Sequence, residues 1–386
     1  DTVARLGGDE FAVLIASIAS EKDAIVIAER ISRAMARPFA LEGGDVVAGV
    51  SIGIARGRDG QGVDDLLRNA DVAMYVAKRG GRGRHAVFEQ EMQTEVLERL
   101  VLEADLRAGI ERGELRLVYQ PLIELESGRM TGVEALVRWQ HPERGLLTPD
   151  VFISIAEDSG LIKPLGRWVL AEAARQGAEW LLMSEHFALA VSVNISGRQL
   201  QDPTFADEVA TVLLASGFPA ENLFLEITES EIMRNTEATL ARLHALKALG
   251  IRLAIDDFGT GYSSLSYLQR FPIDMLKIDK CFVDDVARVG NGQSLARMIV
   301  ALGETLSLMT VAEGVEACEQ ATALRAMGCH HAQGYHFSRP VAALAISALL
   351  GRGRKSAPIF PLIPVVADAP HAACVIVGGP SSTIVG

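Results

Sequence analysis

The 386-residue sequence has four cysteines, Cys281, Cys318, Cys329 and Cys374, and no two of them form a Cys-x-x-Cys pair. So few scattered thiols exclude a disulfide scaffold and point to a reducing, cytoplasmic setting. No unbroken apolar run reaches the length of about 18 residues that a membrane-spanning helix needs. The chain opens inside a motif at Asp1-Thr-Val-Ala-Arg-Leu-Gly-Gly-Asp-Glu-Phe11 and reads as a fragment, so no leader is to be looked for at its start, and any sensor, membrane-bound or not, is expected upstream. His330 and His331 are adjacent and would point opposite ways, so no histidine or cysteine set has zinc spacing. A Walker A loop is missing. The net charge of −12 argues against a surface that coats nucleic acid. What the chain does have is bulk: 49% hydrophobic residues supply a large core, and the length suits two or three domains.

The organising stretch is Ile251-Arg-Leu-Ala-Ile-Asp-Asp-Phe-Gly-Thr-Gly-Tyr-Ser-Ser-Leu265. Ile251, Leu253 and Ile255 alternate as a strand face does. Asp256 and Asp257 follow at once. Strand neighbours point to opposite sides, so the two acids reach one ligand only where the strand ends and bends. Gly259 and Gly261 allow that bend. Crowded carboxylates are costly, and a divalent cation with a taste for oxygen, magnesium or manganese, removes the cost. A helix cap beside a loop acid is the plainer alternative.

In chain order, residues 1–88 form the first unit. Leu6–Ile15 reads as two strands around a Gly-Gly turn, Glu21–Ala36 as an amphipathic helix, Val46–Ala55 as a strand and Val63–Lys78 as a second helix. Residues 89–113 form a charged linker helix. Met92, Val96 and Leu100 keep a spacing of four, and so do Leu102, Leu106 and Ile110; the offset suits a linker, and a coiled-coil seam stays open. Residues 114–350 repeat a short apolar strand with a polar end followed by a helix. The expected strands are Leu115–Gln120, Gly132–Arg138, Ala188–Asn194, Leu223–Thr228, Arg252–Asp257, Met275–Asp279, Thr310–Glu313 and His330–Tyr335. A doubly wound sheet also has this rhythm. Eight strands with polar carboxyl ends favour an α/β fold of the (β/α)8, TIM-like barrel type. The connection from Gln120 to Gly132 is too short for a helix, so one barrel strand should run antiparallel. Residues 351–386, broken by prolines, read as a poorly ordered tail or a small added element.

The polar groups at the strand ends are Gln120, Glu134 with Arg138, Asn194, Glu226, the Asp256–Asp257 pair, Lys277 with Asp279, Glu313 and Gln333. Any one alone would more often cap a helix or satisfy a loop. A barrel gathers all of them at one mouth, as acids, amides and a lysine suited to metal-assisted phosphoryl chemistry.

Two families are resembled. Gly7-Gly8-Asp9-Glu10-Phe11, Val50-Ser-Ile-Gly-Ile54 and Asp71-Val-Ala-Met-Tyr-Val-Ala-Lys78 resemble the later half of the α+β GGDEF domain of diguanylate cyclases. The resemblance implies a turn that contacts a guanine nucleotide, with Asp9 helping to hold a metal. The segments that bring the other metal carboxylate and the phosphate site are not in this chain, so it is not expected to cyclise GTP. Glu134-Ala-Leu-Val-Arg-Trp139 matches the motif that names the EAL phosphodiesterases of cyclic di-GMP. Tyr119-Gln-Pro121, Ser192-Val-Asn-Ile-Ser196, Glu226-Ile-Thr-Glu229, Asp256–Ser264, Leu276-Lys-Ile-Asp279, Ala312-Glu-Gly-Val-Glu316 and Gln333-Gly-Tyr335 extend the match from about Glu98 to Ala343.

The EAL resemblance implies roles. Glu134, Asn194, Glu226 and Asp256 would hold a first Mg²⁺ or Mn²⁺; Asp256 would bridge to a second, held with Asp257 and Glu313. Lys277 would hydrogen-bond the attacking water, and Glu313 is the candidate general base. Gln120 and Arg138 would contact the nucleotide, Arg138 at a phosphate. Asp279 and Gln333 would complete the surroundings of the water and metals. Glu229 would anchor the Asp257–Leu265 loop, which couples the site to a homodimer in that family. The implied activity is hydrolysis of cyclic di-GMP to linear pGpG, with GTP bound where the GGDEF domain is whole. The rivals are a module that binds cyclic di-GMP and turns it over slowly, and a regulatory partner of a diguanylate cyclase; products from cyclic di-GMP and from GTP separate the three.

Overall fold

In a computed structural model, the described residues are 1–41, 44–57, 60–81, 83–183, 189–233, 236–261, 268–287 and 291–353. Most of the expected tail, residues 354–386, and the second half of the loop after Asp257 lie outside them, as does Ala188. The chain divides into two compact units, residues 1–104 and the remainder from Asp105 onward. Among the described residues, no helix is long and apolar enough to cross a membrane.

The first unit opens with an antiparallel hairpin, β1 (Thr2–Gly7) and β2 (Glu10–Leu14). Gly8 takes φ 52°, and the Arg5 guanidinium donates to its carbonyl at 2.6 and 3.0 Å, which closes the turn. Helix Glu21–Met35 starts on a capping box, with the Ser20 backbone N–H donating to the Asp23 carboxylate at 2.8 Å. The expected strand Val46–Ala55 is two separate pieces. β3 (Phe39–Leu41) pairs with β4 (Gly44–Val46), and β5 (Ile52–Ile54) pairs in parallel with β6 (His85–Val87). Apolar alternation runs through the whole stretch, but a strand persists only where a partner supplies the ladder. Helix Val63–Arg79 packs closely on β5: a Cβ on Gly53 would sit 1.9 Å from the Ala70 carbonyl. Helix Gln90–Arg112 then runs across the division.

The second unit is a closed eight-stranded barrel, as the strand pattern led us to expect. Its strands are β7 (Leu115–Glu124), β8 (Arg129–His141), β10 (Ala190–Asn194), β11 (Leu223–Thr228), β12 (Arg252–Phe258), β13 (Met275–Ile278), β14 (Met309–Ala312) and β15 (His331–Ala332). The β8–β10 pairing closes the ring, and the short β9 (Gly145–Leu147) lies outside it on β8. β7 is antiparallel to both β8 and β15; the other barrel pairings are parallel. The last barrel strand is shorter than expected, so Gln333 stands beyond its end.

Period-2 alternation sets the barrel interior in layers. Leu122, Phe224, Ala254, Met275 and Val311, one from each of five strands, form a buried apolar plug. Two residues further along each parallel strand stand Glu226, Asp256, Lys277 and Glu313. Because β7 runs backwards, its polar residue is Gln120, two before Leu122. Alternation therefore puts an all-polar layer directly above an all-apolar one. The strands are buried on both faces, which is why β11 reads Leu-Phe-Leu-Glu-Ile-Thr with a single charge. Helices cover the outside. Helix Pro149–Ser159 starts with a proline and ends on Gly160 at φ 79°, and helix Ile162–Met183 buries Leu165, Val169, Leu170 and Trp180.

Candidate active site at the barrel mouth

Lys277 is the centre of the polar layer. It is 1% exposed, and its Nζ lies 2.6 Å from Glu226, 2.6 Å from Glu313, 3.0 Å from Asp256 and 3.6 Å from Glu134. Side chains from five strands or strand ends thus meet at one ammonium. A buried charge survives only if paired and hydrogen-bonded, and this one is. Burial alone would lower the Lys277 pKa; Asp256, Glu134, Glu226 and Glu313 outweigh it and hold the ammonium charged well above its usual range.

The amides knit the rest together. Asn194 Nδ2 donates to Glu134 at 2.7 Å, and Gln333 Nε2 donates to Glu134 at 2.6 Å and to Glu313 at 3.0 Å. Gln120 Nε2 donates to the Ser338 carbonyl at 3.1 Å. The acids titrate apart. Burial would raise Glu134, but Lys277, Gln333 and Asn194 prevail and keep it low. Burial pushes Glu226 up to about 8, with Lys277 opposing and Glu134 and Asp256 adding to it. Burial likewise raises Glu313 well above the usual carboxylate range. Burial, then the carboxylates of Asp256 and Asp279, push Asp257 up to about 6. Asp279 is hydrogen-bonded to Asp257; burial would raise it, but its bonds, including that from the Cys281 N–H at 2.9 Å, hold it low.

The two neighbouring aspartates do reach one place. β12 carries an irregularity between Ile255 and Phe258, and Asp257 takes φ 53°, a left-handed conformation rare for a side chain other than glycine. That bend brings one oxygen each of Asp256, Asp257 and Glu313 within 4.8 Å of one another. Glu229, 2% exposed, accepts the Gly259 N–H at 2.7 Å. A Cβ on Gly261 would sit 2.6 Å from the Glu229 carboxylate, so a glycine is required for that approach. The acid therefore grips the start of the loop that follows the aspartates. Arg138 is half-buried on β8; burial lowers its pKa while Tyr335, Asp150 and Glu134 pull it up.

Two features escaped the sequence patterns. Val341 pairs with Tyr119 of β7, which returns the chain to the barrel, and just before it the Arg339 guanidinium lies 4.3 Å over the Tyr335 ring. Glu231 accepts the Gly197 N–H at 2.6 Å and so ties the segment after β11 to the segment after β10. Neither lies on a periodic pattern; only the neighbouring motifs Gln333-Gly-Tyr335 and Glu226-Ile-Thr-Glu229 hinted at them.

The EAL domain model matches residues 103–340. The chain belongs to the EAL domain family. A second model, the GGDEF domain of diguanylate cyclases, matches residues 1–84, so this is a GGDEF–EAL chain. The EAL region ends with Gln333 and the Tyr335–Arg339 pair inside the match. Two curated relatives are MucR of Pseudomonas aeruginosa, named a bifunctional diguanylate cyclase/cyclic di-GMP phosphodiesterase, at 44% identity over 89% of this chain and 50% of the relative, and PdeR of Escherichia coli, named a cyclic di-GMP phosphodiesterase, at 43% identity over 92% of this chain and 53% of the relative. The chain spans about half the length of these relatives. A solved PaMucR phosphodiesterase in complex with c-di-GMP is 44% identical, with a TM-score of 0.61 over 63% of this chain and 98% of that one.

Proposed function

We propose that this chain hydrolyses cyclic di-GMP to linear pGpG. The observation that carries the reading is the meeting of Glu134, Glu226, Asp256 and Glu313 around Lys277 at the barrel mouth. The names of MucR and PdeR and the cyclic di-GMP held by the MucR structure support the same substrate.

The donor set fits a pair of divalent ions, Mg²⁺ or Mn²⁺. Burial, and then neighbouring carboxylates, raise the pKa values of Asp257 and Glu313, and Asp256, Asp257 and Glu313 present oxygens to one point. Glu134, Asn194, Glu226 and Asp256 would hold one ion, and Asp256, Asp257 and Glu313 the other. Such ions, when bound, lower the pKa of water and balance charge on the attacking and leaving oxygens. The protein's own groups do the rest. Arg138 binds a phosphate, and Gln120 and Gln333 orient the nucleotide and the Glu134 carboxylate. Water oxygen adds to phosphorus as the bond to the 3′ oxygen breaks; Glu313 takes the proton released by the water, and the leaving 3′ oxygen takes a proton from solvent to become the hydroxyl. Lys277 donates a hydrogen bond to that water and holds the carboxylates at fixed separations. Asp279 shares a proton with Asp257, and Glu229 fixes the loop after the aspartates.

Residues 1–84 act in this reading as a regulatory remnant, with GTP as the ligand of an intact GGDEF domain. The EAL region pairs as a homodimer, and the protein works in the cytoplasm in second-messenger signalling. Purified protein with cyclic di-GMP and Mg²⁺ tests the activity: accumulation of pGpG is expected, and saturable binding with no pGpG would replace the hydrolase with a binding module.

A further inference from the structure

Arg138 is followed on its strand by two buried aromatic residues, Trp139 at once and His141 two positions later. Glu134 lines the barrel interior, so alternation turns Arg138 inward and turns Trp139 and His141 to the outer face. On that outer face the end of helix Gln90–Arg112 is fastened to both. Trp139 Nε1 donates to the Glu114 carboxylate at 3.0 Å, and His141 Nε2 lies 3.3 Å from Asp105. His141 Nδ1 accepts the N–H groups of Glu143 and Arg144, each at 3.1 Å, which leaves its Nε2–H to donate to Asp105. The backbone doubles the fastening: the Gln140 N–H donates to the Glu114 carbonyl, and the Glu114 N–H donates to the Gly109 carbonyl, each at 2.9 Å. There is no room for slack, because a Cβ on Gly109 would sit 2.7 Å from both the Trp139 indole nitrogen and the Glu114 carboxylate.

We infer that Glu114 and Trp139 are positioning residues that set where Arg138 meets its phosphate, with Asp105–His141 as a second tether. The inference rests on the proposed hydrolase reading and adds residues that the family motifs do not assign to the reaction. These contacts clamp the strand immediately beyond one guanidinium, and none of the clamping groups enters the barrel. The Arg138 guanidinium donates to the Val137 carbonyl of its own strand at 2.8 Å, so its place is set by that strand. A register change in the last turns of the helix would therefore reach the substrate-binding arginine without touching the carboxylate cluster. The signature is a change in substrate affinity rather than in the chemical step.

The test is a double-mutant cycle in the full chain, read as KM and kcat for cyclic di-GMP and as Mn²⁺ affinity. Trp139→Phe keeps an aromatic ring and removes the N–H donor. It is expected to raise KM roughly five- to tenfold, less than the full loss of a hydrogen bond to a charged group because the effect reaches the substrate through Arg138, with kcat and Mn²⁺ affinity unchanged. Glu114→Ala should do the same, and Glu114→Gln, which keeps an acceptor, should recover most of the loss. In an Arg138→Ala background, Trp139→Phe should add nothing further. An unchanged KM in Trp139→Phe and Glu114→Ala, or a full effect of Trp139→Phe in the Arg138→Ala background, overturns the positioning role. Failure of the hydrolase reading would show instead in the wild type, as an absence of pGpG, and would take this role down with it.

Discussion

The two units carry motifs of similar clarity on very different amounts of core. Among the described residues of 1–104, the buried apolar side chains are four alanines, Ala24, Ala28, Ala73 and Ala77, and Leu102. Val3 is 70% exposed and Phe11 64%, on a two-stranded hairpin with no third strand beside it among the described residues. From Asp105 onward, Trp139, Trp180, Tyr119, Phe152 and most barrel aliphatics are fully buried. A two-stranded sheet is marginal in water, whereas a closed barrel has no free edge and a large interior. The comparison teaches that a legible motif reports chemistry that a fold can host, while rigidity comes from what is packed beneath it. Gly7-Gly8-Asp9-Glu10-Phe11 sits on an exposed turn; Glu134, Glu226, Asp256 and Lys277 sit on a plug of Leu122, Phe224, Ala254, Met275 and Val311.

The largest expected effect lies in the barrel's chemistry. Glu134→Ala or Asp256→Ala should cut pGpG release by on the order of a thousandfold or more, since each removes a proposed metal ligand together with a partner of Lys277. Circular dichroism should stay native, and Asp9→Ala, on the hairpin, should leave hydrolysis unaltered. Retained activity in either barrel variant would erase the contrast. Lys277→Ala should abolish most turnover yet bind metal nearly as well as the wild type by titration calorimetry. It removes a cation, not a ligand, and loss of both metal sites would contradict that division.

Core differences come next. Leu225, fully buried in β11, should cost about 2–5 kcal/mol when changed to Ala. Phe11→Ala should stay within about 0.5 kcal/mol, as surface changes do. Urea unfolding followed in each variant compares them, and amide exchange should be slow in β10 to β14 and fast in β1 to β4.

The last effect is a pH term. Burial, with help from His330 and against Glu124, pulls His331 from 6.5 down to about 4. As pH falls, the unfolded chain takes up this proton first. His331 thus contributes its stability in full above pH 6.5 and loses it progressively down to about pH 4, at about 1.4 kcal/mol for each pH unit between the two. The wild-type minus His331→Gln difference in urea midpoint between pH 7 and 5 isolates this contribution, and a flat difference would count against it.

Much of this was readable in the residues because the barrel obeys one local rule. Strand residues two apart share a face, so Phe224 to Glu226, Ala254 to Asp256 and Met275 to Lys277 each step from the plug to the polar layer. The short link from Gln120 to Gly132 likewise announced the antiparallel β7. What was not readable depends on partners far away in sequence. Val46–Ala55 alternates well, yet only Ile52–Ile54 and the end of β4 find a neighbouring strand. The Trp139–Glu114 bond spans 25 positions, and the Val341–Tyr119 pairing spans more than 200. The direct grip of Lys277 on the acids was also hidden, since spacing placed it at the mouth without saying what it touches.

Anomalous diffraction from crystals grown with Mn²⁺ tests the central claim most directly. The account predicts two peaks at the barrel mouth, both in contact with the Asp256 carboxylate, one shared with Glu134, Asn194 and Glu226 and the other with Asp257 and Glu313. A protein that releases pGpG while its manganese binds elsewhere, or touches none of these side chains, would contradict it.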